Sequence, residues 1–288
     1  MTMIENTFSH QILSSLLEKH TGQVVSANRH WRLEMALKPL MRRYAIPDSD
    51  TLAAVIKSGT DRQLAIDCVE AMINNETCFF RDQPNFALLT GPLLDAMRAK
   101  NLQTKTLRIW SAACSTGQEP YSIAVMISEN AEKWRDWTVE IVATDVSGGA
   151  LKQARDGRYS QFEIQRGLPV VLMLKYFTQT GDSWQIQDAV KKRVTFREQN
   201  MLDPLRYRGK FDIVLCRNML MYLSDDKRRI VLDTIAQSLS PGGMVMLGAA
   251  ETVIGQTEKL QASREFRRFY EAAKPAALKP LPPMFMPA

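Results

Sequence analysis

The chain has 288 residues, 45% of them hydrophobic and 24% charged, the make-up of an ordinary globular protein long enough for one large domain or two smaller ones. No apolar run approaches the roughly 20 residues that cross a bilayer, and the opening MTMIENTFSH lacks a basic start followed by an apolar stretch, so a cytoplasmic protein without a secretory leader is expected. A formal charge of +6 points either to an acidic partner or to plain solubility.

Residues 5 to 90 read as helices and are expected to form an all-α amino-terminal domain with a linker, over 1–90. HQILSSLLEKHTG ends in Gly22, and TLAAVIKSGTDRQLAIDCVEAMI carries two more apolar stripes. Within NRHWRLEMALKPLMRRY (28–44), a helical wheel puts Leu33, Leu37, Leu40 and Tyr44 on one side and Arg32, Lys38, Arg42 and Arg43 on the other. That basic face is either simply solvated or offered to an acidic partner, and Pro39 is expected to kink or restart the helix. NNETCFFRDQPNF (74–86) follows, where two phenylalanines precede Arg81: the end of a core helix, or a functional arginine.

From Thr106 the pattern changes to strands alternating with helices, which predicts a parallel sheet with crossover helices. The predicted strands are 107–112, 139–146, 194–200, 211–218 and 244–249. PYSIAVMISENAEKW, GGALKQARDGRY and DDKRRIVLDTIAQSLSPGG are the predicted helices between them. YFTQTGDSWQIQDAV (176–190) breaks the alternation as a hairpin turning over Gly181 and Asp182, so a small β subdomain is expected at about 160–193, inserted in a domain of 91–273. Residues 274–288, KPAALKPLPPMFMPA, are too rich in proline for regular structure and are expected to be a flexible tail.

An open α/β sheet binds its ligand outside the carboxyl ends of its strands. The first strand runs into WSAACSTGQEPYS (110–122), where Gly117 permits a tight turn and Glu119 brings a negative charge that would repel a pyrophosphate; the G-x-G-x-x-G fingerprint is absent, so a ligand with an ammonium group is favoured over a dinucleotide. The second ends at Asp145, either an acceptor for two ribose hydroxyls or the cap of the next helix. The third ends in EQNML, where Asn200 suits an adenine edge and Met201 its face, or Asn200 simply turns the chain. The fourth ends in CRNMLMYL (216–223); Arg217 and Asn218 closing an apolar strand are simplest to explain by function. The Asp/Asn-Pro-Pro-Tyr cluster that handles amine substrates is missing. Cys68, Cys78, Cys114 and Cys216 are scattered, and His10, His20 and His30 all sit near one end, so no disulfide framework, zinc site or histidine-based catalysis is expected.

NNETCFFRD, WSAACSTGQEPYS, ATDVS, EQNML and CRNMLMYL, in that order, resemble the chemotaxis receptor methyltransferase family, CheR, over about residues 10 to 270. The resemblance implies a Rossmann-like class I methyltransferase domain with a small inserted β subdomain, preceded by an all-α domain. It implies methyl transfer from S-adenosyl-L-methionine, with S-adenosyl-L-homocysteine as product, to glutamate side chains on the cytoplasmic helical domain of methyl-accepting chemotaxis receptors. The cofactor would contact Asn75, Thr77, Arg81, Glu119, Asp145, Asn200 and Met201, with Arg217, Asn218 and Tyr222 near the sulfonium. Arg81 and Tyr222 are the expected catalytic residues, Arg32, Lys38, Arg42 and Arg43 the receptor-docking ones, and no metal is implied. The protein would act as a monomer, without nucleic acid and without inserting in the membrane.

Two features depart from the family pattern. GAAETV (248–253) has alanines where many members have histidine or serine, so that position has no expected catalytic role. Members that grip a receptor's peptide tether carry a longer, glycine-containing hairpin loop, so recognition without a tether is expected. Two other activities remain open from the residues alone: a methyltransferase of this fold acting on RNA or a small carboxylate, and a non-catalytic S-adenosylmethionine-dependent signalling module.

Overall fold

The structure, a computed structural model, describes residues 8–26, 29–207 and 209–273; the predicted proline-rich tail at 274–288 lies outside them. The amino-terminal helices are α1 (Phe8–Thr21), α2 (His30–Arg43), α3 (Ser49–Ser58) and α4 (Arg62–Met72). Their stripes meet in one apolar cluster that includes Leu13, Leu17, Leu37, Leu52 and Cys68. Aspartates start two of them: Asp48 accepts from the Thr51 N–H and Asp61 from the Leu64 N–H, each satisfying a donor the helix leaves free. The restart predicted at Pro39 does not occur. Helix α2 runs through it, because Pro39 and Met35, whose carbonyl loses its partner, are both on the solvent side.

Two short helices, α5 (Gln83–Leu88) and α6 (Leu94–Lys100), lead to a seven-stranded sheet. Its strands are β1 (Thr106–Ala112), β2 (Thr138–Asp145), β6 (Val194–Glu198), β7 (Phe211–Cys216), β8 (Leu239–Leu247), β9 (Leu260–Ala262) and β10 (Phe269–Ala272), in spatial order β6-β2-β1-β7-β8-β10-β9. The first five are parallel, and β10 and β9 close the edge antiparallel. Alternate side chains fill two cores: Ile109, Ala143, Ile213 and Met246 on one face, Trp110, Val142, Val214 and Val245 on the other. This burial on both sides explains why the central strands read as continuous apolar runs. Helices α7 (Gln118–Glu129), α8 (Gly148–Asp156) and α12 (Asp225–Ser238) make the crossovers. This is the Rossmann-like class I methyltransferase arrangement with helices before it.

The insertion follows α8. Strand β3 (Arg158–Ser160), helices α9 (Gln161–Gln165) and α10 (Val170–Tyr176), strands β4 (Phe177–Thr180) and β5 (Ser183–Ile186), and α11 (Asp188–Lys191) build a three-stranded antiparallel sheet in the order β3-β5-β4. The hairpin turns over Gly181 and Asp182 as predicted. Residues 158 and 159, read from sequence as the end of a helix, belong to strand β3 instead, because Gly157 in the left-handed region ends α8 at Asp156. Gly167 lets the insertion pass against the Phe79 backbone: at its φ of 88°, a Cβ there would lie 2.1 Å from the Phe79 carbonyl oxygen.

Candidate active site

The sheet order reverses at β1, with β2 on one side and β7 on the other, and a cavity of about 910 Å³ opens above the carboxyl ends of β1, β2, β6 and β7. Asn75, Thr77, Arg81, Glu119, Asp145, Asn200, Met201, Arg217, Asn218 and Tyr222 all line it. Of the eight non-glycine residues at positive φ among the described residues, five belong to the segments around it: Phe80, Asp82, Ala113, Ser115 and Asn218. Strained backbone of this kind persists where the surroundings hold it for a purpose.

Glu119 sits in the first turn of α7, where the helix dipole favours an anion. Its charge is not free, as the sequence suggested, but shared. One carboxylate oxygen accepts from Ser111 Oγ at 2.7 Å and the other from Arg217 Nη1 at 3.0 Å. Arg217 also donates to the Arg81 carbonyl at 2.7 Å and lies 3.8 Å from Asp82. Its Nε is buried without an acceptor among the described residues.

Asp145 is not a helix cap. Ser147 caps α8 through its own hydroxyl, and Asp145 instead accepts from Ser115 N–H at 2.7 Å and Ser147 N–H at 2.9 Å. Burial pushes its carboxyl up, against the pull of these N–H groups. Each oxygen retains a lone pair for a ligand hydroxyl. The Asn200 side chain is committed at both ends: it donates to the His20 carbonyl at 2.8 Å and accepts from the Leu202 N–H at 3.0 Å, tying α1 to the sheet.

Among the described residues three carboxylates, Glu76, Glu119 and Asp145, line the cavity against two guanidiniums, Arg81 and Arg217. The single net negative charge fits a ligand with a sulfonium, an ammonium and one carboxylate, and opposes a polyphosphate. This mixture of carboxylates and guanidiniums suits S-adenosylmethionine.

Several contributors escape sequence reasoning. Ser115 donates through Oγ to the Asn75 carbonyl at 2.7 Å, and Ser122 Oγ accepts from Phe80 N–H at 3.0 Å, so the linker is fastened to α7. Glu251, noted in the sequence only within a departing motif, accepts from the N–H groups of Asn218, Leu220 and Gly248, each at 2.8 Å, and so fixes the 217–222 turn. A carboxylate shortly after the last parallel strand was the available signal. Gln23 and Asn74 line the cavity from the amino-terminal side, and the Val24 N–H donates to the Tyr222 carbonyl at 2.7 Å.

A second cleft of about 760 Å³ lies between α1, α2 and the end of α4 and shares Gln23, Ile73, Asn74 and Tyr222 with the first. Arg29 and Arg32 line it, and neither has a carboxylate within 4.0 Å among the described residues. The other predicted docking cations, Lys38, Arg42 and Arg43, are exposed on α2; Arg43 reaches Asp67 at 3.5 Å and is the one partly paired.

The family model described as "CheR methyltransferase, SAM binding domain" matches residues 75–268. The chain is 37% identical over 254 residues to the chemotaxis protein methyltransferase of Vibrio parahaemolyticus serotype O3:K6, covering 87% of this chain and 91% of that protein. It is 38% identical over 251 residues to chemotaxis protein methyltransferase 1 of Vibrio cholerae serotype O1, covering 86% and 90%. Chemotaxis protein methyltransferase 1 of Pseudomonas aeruginosa is 38% identical over 250 residues, covering 84% and 89%.

Proposed function

The chain belongs to the CheR methyltransferase family, and from that premise we propose that it methylates glutamate side chains of chemoreceptors, forming 5-O-methyl esters. It is an S-adenosylmethionine-dependent methyltransferase; the acceptor is the step beyond. The observation that carries this acceptor is the lack of an uncommitted base among the described residues: Glu119 is paired with Arg217, and Asp145, though raised by burial, is held by the Ser115 and Ser147 N–H groups. Among the described residues no histidine or lysine lines either cavity. The Arg166 hydrogen bond holds the Glu76 carboxyl below its usual range, which makes it a poor proton acceptor. An amine or hydroxyl would need deprotonation, whereas a glutamate side chain with a pKa of about 4.3 is already ionised at neutral pH.

Bound S-adenosylmethionine supplies a methyl group on a cationic sulfur. Arg81 has one Nη committed to the Glu76 carbonyl at 3.1 Å, which leaves guanidinium donors for the acceptor carboxylate. A moderate grip is required, since over-stabilising the anion raises the barrier. Tyr222, in the wall between the cavities, orients the acceptor oxygen. The amino-terminal segment pairs with the Tyr222–Leu223 backbone at Gln23 and Val24, beside the cavity; water displaced there by bound cofactor and acceptor would sharpen the attraction between their opposite charges.

The second cleft supports an approach route for the acceptor. Arg29 and Arg32 at its wall, with Lys38, Arg42 and Arg43 on α2, provide a positive surface for an acidic helical partner. The two-residue hairpin turn supports recognition without a tether peptide, by a monomer acting on the receptors' cytoplasmic helices. Incubation with tritiated S-adenosylmethionine, receptor-bearing membranes of the source cell and, separately, its total RNA tests the reading: label should enter membrane protein and not RNA. Label confined to RNA or small acids would reject it.

A further inference from the structure

We infer that Asn74 is a positioning residue for the transfer, one that aims the Tyr222 hydroxyl at the incoming acceptor oxygen; the inference rests on the carboxylate-methylating function proposed above. Asn74 Nδ2 donates to Tyr222 Oη at 2.8 Å. The amide has a defined direction, because its Oδ1 faces the Glu76 N–H at 3.4 Å, so the nitrogen and not the oxygen meets the phenol. A phenol oxygen that accepts from an N–H must send its own proton elsewhere.

That proton has no acceptor among the described residues, since the bond from Asn74 is the hydroxyl's one partner there. The rest of Tyr222 is fixed. Its N–H donates to the Met219 carbonyl at 3.1 Å, its carbonyl accepts from Val24, and Glu251 holds the N–H groups of Asn218 and Leu220 just before it. With the ring's base pinned, Asn74 sets the one remaining freedom, the direction of the O–H. Asn74 and Tyr222 line both the cofactor cavity and the second cleft, so the unclaimed donor stands where an acceptor from the cleft would meet a methyl from the cavity. A phenol donating to the oxygen that does not attack steers the carboxylate without requiring a proton to move.

The chemistry of position 74 decides the test. Asn74→Asp keeps the shape but replaces the donor by an acceptor, so the phenol proton turns toward Asp and away from the substrate. Asn74→Ala merely frees it. Turnover with receptor-bearing membranes and calorimetric affinity for S-adenosylhomocysteine would be measured for both variants, alone and combined with Tyr222→Phe. Turnover should fall about 10-fold for Asn74→Ala and about 100-fold for Asn74→Asp, with product affinity within about 2-fold of the parent. In the Tyr222→Phe background neither change should cost more. Parental turnover in Asn74→Asp, an undiminished loss in the Tyr222→Phe background, or loss of product affinity in step with turnover would each overturn the inference. Failure of the parent itself to methylate the membranes would instead overturn the proposed function beneath it.

Discussion

Arg217 and Glu119 form an ion pair of 3.0 Å between the end of β7 and the start of α7, with 3% and 11% of their side chains exposed. Removing one member of such a pair leaves a buried charge, whereas removing both is far less costly. Glu119→Gln should therefore destabilise the fold by about 3 kcal/mol, and Glu119→Gln with Arg217→Met should regain most of it. Affinity for S-adenosylhomocysteine should stay low in both. Urea denaturation and calorimetry separate the two effects; parental product affinity in the double variant would remove this pair from the cofactor site.

Asp145 predicts a pH dependence of binding. Its carboxyl is raised by burial in the free protein, and a ribose diol needs the ionised form as acceptor. At any pH where that carboxyl is protonated, binding must draw the proton off. Affinity should be full at neutral pH and fall as pH drops through a value above the ordinary carboxylate range of about 3.9. Asp145→Asn should bind weakly with no such slope, read from calorimetric titrations between about pH 4.5 and 7.5.

Arg81 is predicted to act on turnover. Arg81→Lys keeps the charge but loses the paired donors that match a carboxylate. Turnover should drop about 100-fold with receptor at saturation, while affinity for S-adenosylhomocysteine changes by less than about 5-fold. Steady-state kinetics beside calorimetry distinguishes this from a purely cofactor-binding role, in which both would fall together.

Helix α2 is predicted to govern acceptor affinity. Arg32 and Arg42 have no carboxylate within 4.0 Å among the described residues, whereas Arg43 leans on Asp67. Arg32→Glu with Arg42→Glu should raise the KM for receptor membranes at least about 10-fold and flatten its salt dependence, leaving product affinity unchanged. Equal loss of receptor and cofactor binding would count against a docking face.

The parallel core was legible because β1, β2 and β7 are buried on both sides and read as apolar runs, and strand ends are where this fold collects its functional residues. That rule alone aligned Glu119, Asp145, Asn200 and Arg217 on one cavity. It did not reveal that Glu119 and Arg217, 98 positions apart, neutralise one another, because ion pairing across strands leaves no local trace. Strands β9 and β10 have three and four residues and lack enough alternation to register. Asn200 looked like an adenine partner, yet its amide serves His20 and Leu202, a commitment set by where α1 docks. Asn74, a neighbour of Asn75 in sequence, gains meaning only when folding brings Tyr222 within 2.8 Å.

The central claim is that the group methylated is a carboxylate. Receptor-bearing membranes labelled by the purified protein with tritiated S-adenosylmethionine should release volatile methanol in mild alkali, and tandem mass spectrometry should place the methyl on glutamate side chains. Label that survives alkali, or that maps to an amine, hydroxyl or thiol, would contradict it.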